Sequence, residues 1–183
     1  MRLAGVVRRT PLLSSDALDA LTGGRILLKA ETLQRTGSYK IRGAYNRLSE
    51  LKEGGTLRVV AFSSGNHAQG VALAATLLGM RATIVMPDDA PRLKIENTRA
   101  FGADIVLYDR WTESREAIAA RLAAEQGAAV VPSFDDPGII AGQGTVGLEL
   151  AAQAQEAGAA LDAAVVPASG GGLAAGIALA LEE

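Results

Sequence analysis

Arg58-Val59-Val60-Ala61-Phe62-Ser63-Ser64-Gly65-Asn66-His67-Ala68-Gln69-Gly70, continuing to Leu78 and Gly79, decides the fold. An apolar β-branched run meets a polar turn, and a run of helical spacing follows and ends on glycine. A strand is handing over to a helix. The unit then repeats, because Gly79, Gly102 and Gly127 each close a helical run and each is followed by an apolar run suited to a strand. Such alternation is the signature of βαβ units around a parallel sheet, so the predicted class is α/β with open parallel sheets flanked by helices. Predicted strands are 25–31, 58–63, 82–87, 104–108, 129–133 and 163–168. Predicted helices are 39–50, 66–78, 91–101, 112–126, 139–156 and 173–182. The strands from Arg58 to Ser133, with their helices, are expected to form a small α/β domain over 58–137. It would be inserted between a first part, 1–57, and a returning part, 138–183.

Of the 183 residues, 49% are apolar, enough for a real core, and the net charge is −2. The arginines form no basic stripe, so nucleic acid and anionic membranes are not expected partners, and a small molecule is. The absence of cysteine excludes disulfides and thiolate metal sites. The first residues hold no apolar run long enough for export, so the expected location is the cytoplasm. Pro167 and the glycines at 170–172 interrupt the apolar stretch 163–181 before it reaches membrane-spanning length.

Three clusters carry chemistry. Val165-Val166-Pro167-Ala168-Ser169-Gly170-Gly171-Gly172-Leu173 runs from an apolar segment through residues without bulk into a helix. Backbone amides at a helix start suit a phosphate. Without the Gly-Lys-Ser/Thr ending of a nucleotide loop, a monophosphate fits better than a triphosphate. The second cluster, Ser63 to Gly70, crowds polar groups at a helix start that suits a carboxylate, although Ser64 or Asn66 could equally be an ordinary N-cap. His67, the only histidine, reads as structural. The third is Gln34-Arg35-Thr36-Gly37-Ser38-Tyr39-Lys40-Ile41-Arg42-Gly43-Ala44, in which Lys40 starts a helix. The dipole there and any burial lower the proton affinity of its amine, which permits a nucleophilic role without selecting one.

Together and in this order, the clusters resemble the fold-type II pyridoxal-phosphate enzymes, most closely the threonine/serine dehydratase and serine racemase group. Pro132–Pro137 and Ile140–Thr145 are similar to further landmarks of that group. The resemblance implies that Lys40 is the Schiff-base lysine, with Tyr39 at a position usually held by phenylalanine beside the pyridine ring. It implies that Asn66 contacts the 3′-oxygen, and that Ser169, Gly170, Gly171, Gly172 and Leu173 hold the phosphate. Ser63, Ser64, Gly65, Asn66 and His67 would surround the substrate carboxylate. Ser64 matches the serine with which serine racemases protonate the far face of the substrate carbanion. The implied reaction is dehydration and deamination of threonine or serine to a 2-oxo acid and ammonia, with serine racemisation or 3-hydroxyaspartate dehydration as alternatives. A homodimer is expected. Members of the group continue beyond the phosphate loop, so 1–57 and 138–183 would be parts of an incomplete large domain. The absent remainder would carry any divalent-cation site, and none is expected within this chain. Two rival readings stand beside this one. Gly142-Gln143-Gly144-Thr145-Val146-Gly147 satisfies G-x-G-x-x-G with Asp162 downstream, as in a nicotinamide-dependent oxidoreductase. The other rival is a truncated homologue that binds without catalysing.

Overall fold

The computed structural model describes residues 2–182. Strand β1 (Leu12–Ser14), helix α1 (Asp16–Thr22) and strand β2 (Leu27–Lys29) form an antiparallel hairpin with a helix in its connection. A 3-10 turn at Glu31–Leu33 leads to α2 (Lys40–Glu53). The chain then alternates through β3 (Arg58–Phe62), α3 (Asn66–Leu78), β4 (Arg81–Pro87), α4 (Arg92–Ala100), β5 (Asp104–Tyr108), α5 (Arg115–Gln126) and β6 (Ala129–Val130). Helices α6 (Pro137–Glu156) and α7 (Gly172–Leu181) complete it.

The four later strands form one parallel sheet in the order β5-β4-β3-β6, as the alternation of the sequence requires. Its pleat sends successive side chains to opposite faces. Val59 and Ala61 of β3 join Ile84 and Met86 of β4 in a core shared with α2 and α3, whereas Val60 and Val85 pack against Ala119, Leu122 and Ala123 of α5. The glycines that close α3 and α5, Gly79 and Gly127, have φ of 65° and 60°, and Gly102 after α4 has 91°. No side chain tolerates these conformations cheaply.

The predicted strand at 163–168 is not formed. It has no neighbouring strand among the described residues, and Val165 is 99% exposed. A strand exists only through its ladder, so an apolar segment without a partner stays irregular. For the same reason strand 129–133 shrinks to Ala129–Val130, extended by one bond from the Val131 amide to the Val60 carbonyl, and 25–31 shrinks to Leu27–Lys29.

The G-x-G-x-x-G stretch lies inside α6, with no strand-to-helix turn for a dinucleotide. Its glycines let helices touch. A Cβ at Gly142 would stand 2.5 Å from the Arg42 carbonyl oxygen and 2.6 Å from the Gly43 Cα, and one at Gly144 would stand 2.8 Å from the Gly176 carbonyl oxygen. The obstructing atoms are backbone and cannot swing away. Gly142→Ala is therefore expected to cost roughly 1–3 kcal/mol through overpacking, seen as a drop of several degrees in Tm.

Candidate active site

Helix α2 crosses α3 so closely that a Cβ on Gly70 would meet the Lys40 carbonyl group at 3.0–3.1 Å. This crossing puts Lys40, the first residue of α2, opposite the turn that starts α3. Its ammonium donates to the Ser133 carbonyl oxygen at 2.6 Å, lies 5.3 Å from the centre of the Tyr39 ring, and has no carboxylate partner among the described residues. Burial pushes the Lys40 amine below the ordinary lysine range, because the charged form loses solvation that no acid restores.

Across from it, Ser63 continues β3 by donating its amide to the Val85 carbonyl oxygen, and its hydroxyl accepts from the Gly65 amide at 3.2 Å. Gly65 is the N-cap of α3 and supplies no side-chain cap. Neither Ser64 nor Asn66 caps the helix, so its first amides remain free to meet an anion. The glycine-rich loop makes the third wall. Gly171, with φ of 84°, is the N-cap of α7 and again leaves the first amides uncapped. The Phe134 ring packs directly on Gly170, and its carbonyl lies against Gly172, where any side chain would collide.

These pieces enclose one cavity of about 310 Å³. Tyr39, Lys40, Ser63, Ser64, Gly65, Asn66, His67, Ser169, Gly170, Gly171, Gly172 and Leu173 all line it, so every residue singled out from the sequence is brought together. The volume suits a small organic ligand. Lys94, Ser133, Phe134 and Gln143 also line it. Phe134 and Gln143 fall inside stretches already recognisable as landmarks, but Lys94 sits on α4 in a segment with no motif and carries no signal in the sequence.

His67 is buried in the first turn of α3. Its Nε2 lies 3.2 Å from the Val131 carbonyl oxygen, which can only accept, so Nε2 carries the proton and Nδ1 is a bare acceptor. Among the described residues Nδ1 has no partner, and neither does the buried Oε1 of Gln143. Burial lowers the His67 pKa from 6.5 to about 4. The unfolded chain therefore binds the extra proton first, and the stability supplied by neutral His67 is present above about pH 6.5 and lost as the pH falls towards 4. That linkage amounts to on the order of 3 kcal/mol. A His67→Gln variant should show a flatter plot of urea midpoint against pH over that window.

Among the described residues no cluster of histidine and carboxylate side chains could hold a metal ion, and no helix is long and apolar enough to cross a membrane.

Residues 3–183 match the family model described as pyridoxal-phosphate dependent enzyme. The chain is 53% identical to an L-threo-3-hydroxyaspartate ammonia-lyase of Pseudomonas sp, over 98% of this chain and 55% of that protein. It is 48% identical to the L-threonine ammonia-lyase of Thermotoga maritima, over 99% of this chain and 44% of that protein. The crystal structure of a T.th. threonine deaminase superposes with a TM-score of 0.91 at 50% identity, covering 99% of this chain and 57% of that one. Maize serine racemase gives 0.92 at 44% identity, covering 99% and 54%. The chain thus spans about half the length of the curated relatives it matches. On this family match and these likenesses, the chain belongs to the pyridoxal-phosphate dependent enzyme family and has the architecture of its fold type II.

Proposed function

We propose that this chain provides the lysine, the phosphate loop and the carboxylate turn of an enzyme that dehydrates and deaminates a small β-hydroxy amino acid, giving a 2-oxo acid and ammonia. Threonine and serine are the plain members of that class, and 3-hydroxyaspartate is the member with a second carboxylate. One observation carries the reading. An amine with lowered proton affinity and no acidic partner faces two uncapped helix starts across one small cavity.

The residues fit pyridoxal phosphate. The amides of Gly170–Leu173 suit its phosphate, Tyr39 flanks the cavity beside Lys40, and Asn66 reaches the wall where its amide can meet an oxygen. The loop is kept clear for such a group, since a Cβ on Gly170 or Gly172 would collide with Phe134. When bound, the cofactor supplies the electron sink that makes the substrate Cα–H acidic. Lys40 then takes the Cα proton, because burial keeps a larger share of its amine neutral. The turn at Ser63–His67 holds the substrate carboxylate against the first amides of α3, which fixes the direction of the Cα–H bond relative to Lys40. In this reading Ser64, which lines the same cavity as Lys40, returns a proton to the other face of the substrate, so slow racemisation of serine accompanies the main reaction. The family's habit of pairing makes a cytoplasmic homodimer part of this reading.

The test uses the complete protein with added pyridoxal phosphate. A visible absorbance band, a borohydride-stable adduct mapped to Lys40, and release of 2-oxo acid from threonine or serine are expected. A band without 2-oxo acid would leave a binding protein, and an adduct on another lysine would sink the assignment.

A further inference from the structure

Among the described residues the Lys40 ammonium is held by neutral groups alone. It donates to the Ser133 carbonyl oxygen at 2.6 Å, and its Nζ stands over the Tyr39 ring, 5.3 Å from the centre and within reach of a cation–π contact. A carboxylate in either place would fix the positive charge and keep the amine from acting as a base near neutral pH. A carbonyl dipole and a ring face attract the cation more weakly, so the proton is held and can still be given up.

Both partners are anchored from behind. Two residues before Ser133, the Val131 amide donates to the Val60 carbonyl oxygen, and the Val131 carbonyl oxygen lies 3.2 Å from His67 Nε2. On the other side, Phe134 packs on Gly170. Tyr39 is the N-cap of α2, and its ring packs against the apolar cluster of Val146, Leu173 and Ile177 from α6 and α7. A ring wedged there has little freedom to swing away from Lys40.

No acid near Lys40 competes with this arrangement. The other titratable groups on the cavity wall are His67, Lys94 and Tyr39 itself. Burial keeps His67 neutral above about pH 4 and pushes the Tyr39 phenol up, so neither changes its charge near neutral pH. Lys94 stands beside Gly65 of the carboxylate turn. The acids of α6 are paired elsewhere: Asp136 with Arg47, Glu149 with Arg42 and Lys29, and Glu156 with Arg9. Asp135, in the loop of Ser133, is exposed and does not line the cavity.

Resting on the reading of the site given above, we propose that Tyr39 is a positioning residue for Lys40, whose ring face, together with the Ser133 carbonyl, holds the ammonium that forms when Lys40 takes the Cα proton. The ring acts through its face and not through its hydroxyl.

The experiment compares the complete wild-type protein with Tyr39→Phe, which keeps the ring, with Tyr39→Leu, which removes it, and with a trifluorinated phenylalanine at position 39. The last keeps the shape of the ring and drains its face of electron density, so it separates electrostatics from folding. The proton affinity of Lys40 is read without turnover, from the pH dependence of its acetylation by acetic anhydride, followed by peptide mass in the absence of cofactor. Tyr39→Phe should match the wild type. Tyr39→Leu and the fluorinated ring should each lower the Lys40 pKa by roughly 0.5 to 1.5. In the cofactor-loaded enzyme both should move the rising limb of the pH profile towards acid and lower kcat roughly three- to thirtyfold, with KM little changed. A Lys40 pKa unchanged by the fluorinated ring would overturn the proposal, as would a Tyr39→Phe variant that behaved like Tyr39→Leu, because the hydroxyl would then be the active group. If no hydroxy amino acid turns over in the wild type, the reaction itself is wrong, and the acetylation measurement still decides the role of Tyr39.

Discussion

Lys40→Ala is expected to abolish both the borohydride-stable cofactor adduct and the release of 2-oxo acid, with kcat lower by at least about a thousandfold, within the range that a positioned general base contributes. No other side chain can take its place. Lys94, the second amine on the cavity wall, reaches it from α4 beside Gly65, whereas the close crossing at Gly70 holds Lys40 at the start of α2. Mapping should therefore find no compensating adduct at Lys94. Lys40→Arg should fail as fully, because a guanidinium stays protonated and cannot accept the Cα proton. The pH profile gives a second check. Burial lowers the Lys40 pKa, so the free amine appears at lower pH than for an exposed lysine. Activity should rise with pH through that lowered value, with the rising limb on the acid side of the ordinary lysine range. A variant that kept the absorbance band and the adduct would remove Lys40 from the mechanism.

The parts of the fold that were legible in the sequence are those whose cause is local. Val59–Phe62 and Ile84–Met86 alternate on a pleat, the glycines after α3, α4 and α5 need positive φ, and α3 begins and ends where its polar turn and Gly79 place it. Helix α1 had a signal too, since the Ser15 hydroxyl accepts from the Leu18 amide and Gly23 closes the helix at φ 71°, but a helix this short has no apolar stripe to announce it. The segment 163–168 misled because apolar composition secures neither burial nor the hydrogen-bonding neighbour that a strand needs: all of it but Val166 is exposed, and it pairs with no strand among the described residues. At the site, the glycine-rich and serine-rich turns could be read because a helix start is written in consecutive residues. Lys94 could not, because its meaning comes from the packing of α4 beside Gly65. The dinucleotide-like glycines show the reverse case, where a pattern with two physical uses was put to helix contact.

The same distinction explains the second large effect, which involves a residue inside the lysine motif that does not line the cavity. Arg42 is wholly buried. Its guanidinium donates to both carboxylate oxygens of Glu31 at 2.8 Å and to both of Glu149 at 2.8 and 2.9 Å, while Lys29 donates to Glu149 at 2.6 Å and to Gln153 at 2.7 Å. Two cations and two anions cancel, and the cluster ties β2 and the 3-10 turn to α2 and α6. Burial alone would lower the Arg42 pKa, but its hydrogen bonds to Glu31 and Glu149 outweigh that and leave it raised. Burial likewise opposes ionisation of Glu149, and the hydrogen bonds from Arg42 and Lys29 win, so its pKa falls below 4.5. Arg42→Met is expected to cost about 3–5 kcal/mol, because it strands Glu31 and half of the counter-charge of Glu149 in the interior. Adding Glu31→Gln and Glu149→Gln should return part of that loss, since the penalty comes from unpaired charge more than from a missing contact. The pH dependence separates this cluster from His67. The contribution of Glu149 is present above about 4.5 and is lost as the pH falls through its lowered pKa, below most of the range over which neutral His67 loses its own. Arg42→Met should flatten the wild-type stability curve only on that more acidic side. Equal flattening on both sides would mean that Arg42 acts through the packing of α2 and not through its ion pairs.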